Sequence, residues 1–281
     1  MQIGKYKISV VHSGFFRLDG GAMFGIIPKP LWQKTNPADE QNRIMLSTRN
    51  LFLETPGRKI LIDTGMGNKW NDKLKSIYEI DQRENSIEKS LGKLNLHTDD
   101  ITDVILTHLH FDHTGGSTKF ENGKIEPVFQ KAKYYVQKKN YEWAINPSDR
   151  DRGSYIKENF IPLYEDGVLN FIDGEVKFDD EIEFLVVNGH TFSQQLVKIS
   201  DGNETILYCC DLFPTVSHIP LPYVMGYDLQ PLVTVQEKLK ILPKAVDENW
   251  KLFFGHDPLT AAVTVTKTEK GYSVKEKYEN I

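Results

Sequence analysis

Four side chains able to bind a metal fall within six residues of this chain: His108, His110, Asp112 and His113. They follow a short apolar stretch, Asp103-Val104-Ile105-Leu106-Thr107, and precede Gly115-Gly116, which breaks regular structure. The pattern reads as a buried strand that delivers three imidazoles and a carboxylate onto the loop at its end. Neutral imidazole nitrogen and carboxylate oxygen are the donors that suit zinc and similar divalent ions. An isolated histidine is most often a surface residue or a satisfied core residue. Here three of the chain's eight histidines crowd together with an aspartate, and that crowding points to a metal site instead.

The same device recurs along the chain. Apolar stretches end in a ligand-capable residue at Asp63, His108, His190, Asp211 and His256. Ligands at strand ends are held by rigid elements, which fixes their geometry. Asp63, in Asp63-Thr64-Gly65, is read as a partner that orients a ligating imidazole through its other nitrogen; the plainer alternative is a turn former. That leaves seven candidate metal ligands: His108, His110, Asp112, His113, His190, Asp211 and His256. A structural zinc site closes with four. Seven suit two ions with a shared carboxylate, and residue spacing alone does not say which ligand serves which ion.

The rest of the chain follows an α/β rhythm. Asn50–Glu54 and Lys59–Asp63 flank the turn Thr55-Pro56-Gly57-Arg58 and predict a hairpin. Ser86 reads as the cap of a helix whose face carries Ile87, Leu91 and Leu94. A second helix is expected over 230–242, opened by Pro231 and stopped by Pro243, with Leu232, Val235, Leu239 and Leu242 facing inward. Strands are expected at 195–199 and 205–210, and a terminal hairpin turns at Lys270-Gly271. Cys209 and Cys210 are adjacent, which strains any bridge between them, so they read as small buried strand residues and not as ligands. With no repeat and no linker, residues 1–281 are expected to form one domain.

Residues 22–32, Ala-Met-Phe-Gly-Ile-Ile-Pro-Lys-Pro-Leu-Trp, are unusually apolar for a segment so rich in Gly and Pro. They read either as a loop tucked under the core or a subunit contact, or as a hydrophobic wall or lid beside a substrate pocket. On the second reading Met23, Phe24, Ile27 and Trp32 contact substrate, together with Phe213 beyond Asp211.

Composition narrows the partners. A net charge of −5 argues against nucleic acid, whose phosphates call for a basic surface. No apolar run approaches the length of a membrane span. The opening residues, Met1 to Lys7, lack the apolar centre of a signal peptide, so a cytoplasmic location is expected unless a leader has already been removed.

The run His108-x-His110-x-Asp112-His113, with His190, Asp211 and His256 behind it, resembles the His-x-His-x-Asp-His signature of the metallo-β-lactamase superfamily. Within it the chain is similar to quorum-quenching N-acyl-homoserine lactonases of the YtnP type, which share the Met23-Phe24-Gly25…Pro28-Lys29-Pro30-Leu31-Trp32 stretch. The resemblance implies an α/β fold of the αββα kind, two mixed β-sheets flanked by helices. It implies His108, His110 and His190 on a first metal, Asp112, His113 and His256 on a second, and Asp211 as the bridge. Two Zn2+ ions are expected, with Co2+, Mn2+ or Fe2+ also suited to these ligands. The implied reaction is attack of a metal-bridging hydroxide on a lactone carbonyl, with Asp112 shuttling a proton to the leaving alkoxide. It also implies a small-molecule acyl lactone or ester as substrate and a homodimer that uses the 22–32 segment. The chain departs from the family at Pro214. Some lactonases place a tyrosine three positions after the bridging aspartate, donating to the substrate carbonyl; His218 is the replacement donor in view, with a purely structural role as its alternative. Two other activities compete: an organophosphate triesterase or broad arylesterase on the same binuclear site, and a metal-binding module without turnover.

Overall fold

In the computed structural model, which describes residues 1–281, the apolar stretches become the strands of two large mixed sheets. Gln2–Ile3 (β1), Tyr6–Asp19 (β2), Arg43–Thr55 (β3), Arg58–Ile62 (β4) and Asp103–Ile105 (β5) come first. Thr118–Glu121 (β6) and Lys124–Pro127 (β7) form a separate hairpin. Lys133–Gln137 (β8) and Leu169–Ile172 (β9) complete a seven-stranded sheet in the order β1-β2-β3-β4-β5-β8-β9. Ile182–Val187 (β10), Gln194–Ser200 (β11), Thr205–Tyr208 (β12), Lys251–Phe253 (β13), Ala262–Thr268 (β14) and Gly271–Tyr278 (β15) form the second sheet, in sequence order. The expected hairpins are present as β3–β4 and β14–β15.

The helices are Gly20–Phe24 (α1), Lys29–Trp32 (α2), Asp72–Tyr78 (α3), Ile87–Lys93 (α4), Phe111–Thr114 (α5), Lys138–Ile145 (α6), Ile161–Glu165 (α7) and Pro231–Asp247 (α8). β4 shows how the layers stack. Ile60 and Ile62 point into the space between the sheets, where they meet Leu53, Phe184, Val197 and Ile206. Leu61 points the other way, into a cluster with Val104 and Tyr134 and with Ile87 and Leu91 of α4, Tyr141 of α6 and Leu163 of α7. Strands covered on both faces read as continuous apolar runs, which is why β4 and β5 do. On the far side, Ile241, Leu242 and Ala245 of α8 join the inter-sheet cluster. The result is helices, sheet, sheet, helix, as the resemblance implied.

Four expectations need correcting. First, α8 runs through Pro243 to Asp247. An interior proline removes one helical bond and crowds the preceding turn, and the packing of Ile241, Leu242 and Ala245 against the core carries the helix past it. Second, of the four residues expected on the inward face of α8, Leu242 is buried but Leu232, Val235 and Leu239 are not. Leu232 is 80% exposed and Leu239 40%, whereas Thr234, Glu237, Lys238, Ile241, Leu242 and Ala245 are buried. Polar anchoring turns the helix: the Glu237 carboxylate accepts from the backbone N–H of Asn188 (2.6 Å) and Gly189 (3.1 Å). The Lys238 ammonium donates to the carbonyls of His218, Pro220 and Tyr223 at 2.6, 2.8 and 3.0 Å. Third, the 22–32 segment is not a loop. It holds α1 and α2, with Asp19 capping α1 through the N–H of Ala22. Fourth, Cys209 and Cys210 are free and buried, but they lie just beyond β12, not in it.

Candidate metal centre

Each predicted ligand outside the short motif reaches the site by the same route. His190, Asp211 and His256 each lie three residues beyond a strand (β10, β12 and β13), and His108 lies three beyond β5. These strands come from both sheets, so the site forms where the ends of the two sheets meet. His110 caps the single-turn helix α5, which carries Asp112 and His113. Cys210, with φ of 47°, turns the chain sharply so that Asp211 faces the motif.

All seven side chains converge. His108, His110, His190 and Asp211 form one buried group whose ligand atoms lie within 4.8 Å of one another, and Asp112, His113 and His256 form another. Asp211 stands between the two. Its Oδ2 is 3.1 Å from His190 Nε2 and 3.8 Å from His108 Nε2. Its Oδ1 is 3.1 Å from His256 Nε2 and 3.4 Å from His113 Nε2.

The outer nitrogens fix the tautomers. His113 Nδ1 donates to Asp63 Oδ2 at 2.8 Å, His190 Nδ1 to Asp228 Oδ1 at 3.0 Å, and His256 Nδ1 to the Ser47 carbonyl at 2.9 Å. A carbonyl only accepts, so the proton on His256 sits on Nδ1 and its Nε2 carries a lone pair. Asp63 and Asp228 impose the same tautomer on His113 and His190. The Nε2 atoms of His113 and His256 are nonetheless 3.0 Å apart. Two lone pairs at that separation repel unless a cation or proton lies between them. His108 Nε2 and Asp211 Oδ1 are also buried without a hydrogen-bond partner. Buried polar atoms normally find partners. An inward-facing cluster that lacks them has the electronic character of a cation site, and imidazole with carboxylate fits divalent metals.

The charge balance agrees. Burial opposes the charge on Asp211, but His113, His256 and His190 hold its carboxyl well below the usual range. Burial likewise opposes a charge on His190, yet the Asp211 carboxylate and the hydrogen bonds of Asp211 and Asp228 push it up to about 10. His113 and His256 are raised in the same way, against burial, chiefly by Asp211. His108 and His110 are held low by burial and by their imidazole neighbours. The cluster draws in positive charge, and a proton takes the place a metal would occupy.

Asp63 sits immediately after β4 with φ of 59°. Besides His113, it accepts from the N–H of Thr107 at 2.8 Å and from the Thr107 hydroxyl. It therefore joins the strand before the motif to the helix inside it. Asp228, which orients His190, was not foreseen. It lies in an irregular segment, Met225–Gln230, and nothing around it in sequence marks a ligand partner.

A cavity of about 360 Å³ opens onto the site. His110, Asp112, His190, Asp211 and His256 form its floor; Leu18, Met23, Leu46 and Met225 give an apolar wall; Arg150, Ser154, Tyr78 and Tyr227 give a polar one. Burial raises the phenol pKa of both Tyr78 and Tyr227, with nearby acidic groups adding to it, so both stay protonated hydrogen-bond donors. Of the five expected substrate contacts, Met23 is in the lining. Phe24 and Trp32 stack on each other behind it at 5.3 Å, Ile27 packs against the same cluster, and Phe213 lies in the main core. His218 is fully buried outside the lining, stacked on Phe24 at 4.8 Å. Its Nε2 donates to the Met23 carbonyl at 2.8 Å and its Nδ1 pairs with the Thr215 hydroxyl at 2.8 Å. Both ring nitrogens are thus committed within the fold, and what His218 does there is hold Met23 against the cavity.

Comparison with known proteins adds an independent line. Residues 47–263 match the metallo-beta-lactamase superfamily. An N-acyl homoserine lactonase from Bacillus thuringiensis is 28% identical over 220 residues, which span 73% of this chain and 79% of that protein. The fold superimposes on a probable metal-dependent hydrolase from Staphylococcus aureus with a TM-score of 0.89 and 29% identity, over 99% of this chain and 98% of the other. It also superimposes on AidC, a dizinc quorum-quenching lactonase in complex with a product, with a TM-score of 0.82 and 21% identity over 99% and 96% of the two chains.

Proposed function

This chain belongs to the metallo-beta-lactamase superfamily, and on that premise we propose that it is a metal-dependent hydrolase that opens the lactone ring of N-acyl homoserine lactones. The observation that carries the reading is the position of Asp211, one carboxylate oxygen toward each of two histidine-rich groups, on the floor of a cavity with an apolar wall. In this proposal His108, His110 and His190 hold one ion, Asp112, His113 and His256 hold the other, and Asp211 is shared. Two divalent ions, zinc first by ligand type with cobalt, manganese and iron also suited, would supply a water made acidic near neutral pH and a Lewis acid for the carbonyl oxygen. Asp63, Asp228 and the Ser47 carbonyl fix the imidazoles of His113, His190 and His256 so that their inner nitrogens present lone pairs.

When the ring opens, the water oxygen bonds to the acyl carbon, the ring C–O bond breaks, and the alkoxide oxygen takes a proton. Asp112 Oδ2, which lies 3.5 Å from His256 Nε2 and faces the cavity, is the proposed carrier of that proton. Leu18, Met23, Leu46 and Met225 keep water from the acyl chain. We read residues 1–281 as one domain, because the main core cluster draws residues from Ile3 to Tyr272. A homodimer contact through α1 and α2 belongs to the proposal as well, on the strength of Ile26, 88% exposed, and Leu31, 51% exposed; sedimentation velocity reads it directly.

The test is chromatography with mass spectrometry of short- and long-chain N-acyl homoserine lactones incubated with metal-loaded protein, with paraoxon in parallel. The proposal expects a product 18 Da heavier from the lactones, the mass of one added water. Paraoxon turnover without lactone opening would favour the triesterase, and turnover of neither a binding module.

A further inference from the structure

The polar wall of the cavity offers hydrogen-bond donors that the ring-opening chemistry leaves unused. Tyr227 lines the cavity with 37% of its surface open, and its phenol donates to no other residue of the chain. Its backbone, by contrast, is held from every side. Gly226 N–H donates to the Ala22 carbonyl at 2.8 Å, and Leu229 N–H to the His190 carbonyl at 3.1 Å. The Arg150 guanidinium, on the same wall, donates to the carbonyls of Gly226 and Asp228, the two neighbours of Tyr227. The Asp228 carboxylate itself holds His190. Tyr227 is therefore presented at a fixed place relative to one of the proposed ligands, which is how a recognition group is built.

A donor in such a place needs an acceptor on the substrate. The scissile carbonyl is accounted for by the metal floor, so the acceptor left for the Tyr227 phenol is a second one. We propose that Tyr227 determines specificity by donating a hydrogen bond to a second carbonyl on the substrate, the amide oxygen that an N-acyl homoserine lactone carries beside its ring and a plain alkyl lactone lacks. This rests on the lactonase reading above and narrows it. A site built to donate loses affinity for a ligand that leaves the donor unpaired, and that difference is the source of selectivity.

The test compares kcat/KM for N-hexanoyl homoserine lactone and for an alkyl-substituted γ-lactone of similar length. It uses unmodified protein and the Tyr227→Phe variant, both assayed at equal zinc content measured by elemental analysis. Removing one hydroxyl is expected to lower the ratio of the two values about tenfold, with most of the change in the KM of the amide substrate. An unchanged ratio overturns the proposal, whether both rates fall together or neither moves. If unmodified protein opens neither lactone, the lactonase reading fails first and takes this one with it; if it opens both with equal efficiency, only the amide recognition fails.

Discussion

Asp211 gathers the site at the scale of single residues, and the groups behind the imidazoles decide how well they bind. Removing Asp228 leaves His190 free to rotate and to change tautomer. Asp228→Ala is therefore expected to weaken metal affinity about 10- to 100-fold, read by competition with a chromogenic chelator. Asp228→Asn, which keeps an acceptor for the His190 N–H, is expected to lose less.

Protons and metal compete for the same lone pairs, which sets a pH dependence. In metal-free protein His190 is pushed up to about 10 from an ordinary 6.5, so folding holds a proton that the unfolded chain releases. Its contribution to stability is complete below about pH 6.5 and is lost as pH rises toward 10. Metal affinity moves the other way, because binding must expel those protons. Thermal unfolding of metal-free protein is expected to fall in Tm across that window while zinc affinity rises; parallel trends would contradict the assignment.

The convergence of the seven proposed ligands was legible in the sequence because three crowd within one short motif and the other four follow apolar strands by three residues. Asp228 was not, since its partner His190 is distant in sequence and the intervening segment is irregular. His218 shows the opposite failure. Its residue type suggested chemistry, but the Thr215 hydroxyl and the Met23 carbonyl, which occupy both its nitrogens, come together only in three dimensions.

Turns and helices hold the ligands in register at the next scale up. The turn after β4 is zipped to α5: Thr64 N–H donates to the His113 carbonyl at 2.8 Å and Gly116 N–H to the Gly65 carbonyl at 3.1 Å. Gly67, at φ of 62°, lies where a Cβ would stand 2.0 Å from the Gly115 carbonyl oxygen. Gly67→Ala is therefore expected to push the motif helix away and to weaken both folding and metal binding, seen as a lower Tm and a lower zinc content. Arg49, in β3, donates to the carbonyls of Phe254, Asp257 and Thr260 and so straps down the loop that carries His256. Arg49→Met leaves those buried acceptors unpaired, at a cost of about 1–3 kcal/mol each, and chemical denaturation should show a loss of several kcal/mol.

Hydrophobic periodicity located α8 but placed its buried face correctly only at Leu242. The burial of Glu237 and Lys238 depends on loop carbonyls and amides that no periodicity encodes. Pro243 misled for a related reason: packing of Ile241, Leu242 and Ala245 against the core carries the helix past a residue that would end it in isolation.

For the whole molecule, two sheets facing each other place four strand ends from different parts of the chain around one point. The layer order was legible because β4 and β5 are apolar on both faces, and the resemblance to a known family supplied the proposed partition of ligands between two ions. No helix is long and apolar enough to cross a membrane. The central claim is that this convergence holds two cations on one shared carboxylate. Anomalous diffraction at the zinc edge from crystals of the zinc-loaded protein tests it most directly. Two peaks with the Asp211 carboxylate between them are predicted, one beside His108, His110 and His190 and the other beside Asp112, His113 and His256; a single peak, or none within reach of Asp211, would contradict it.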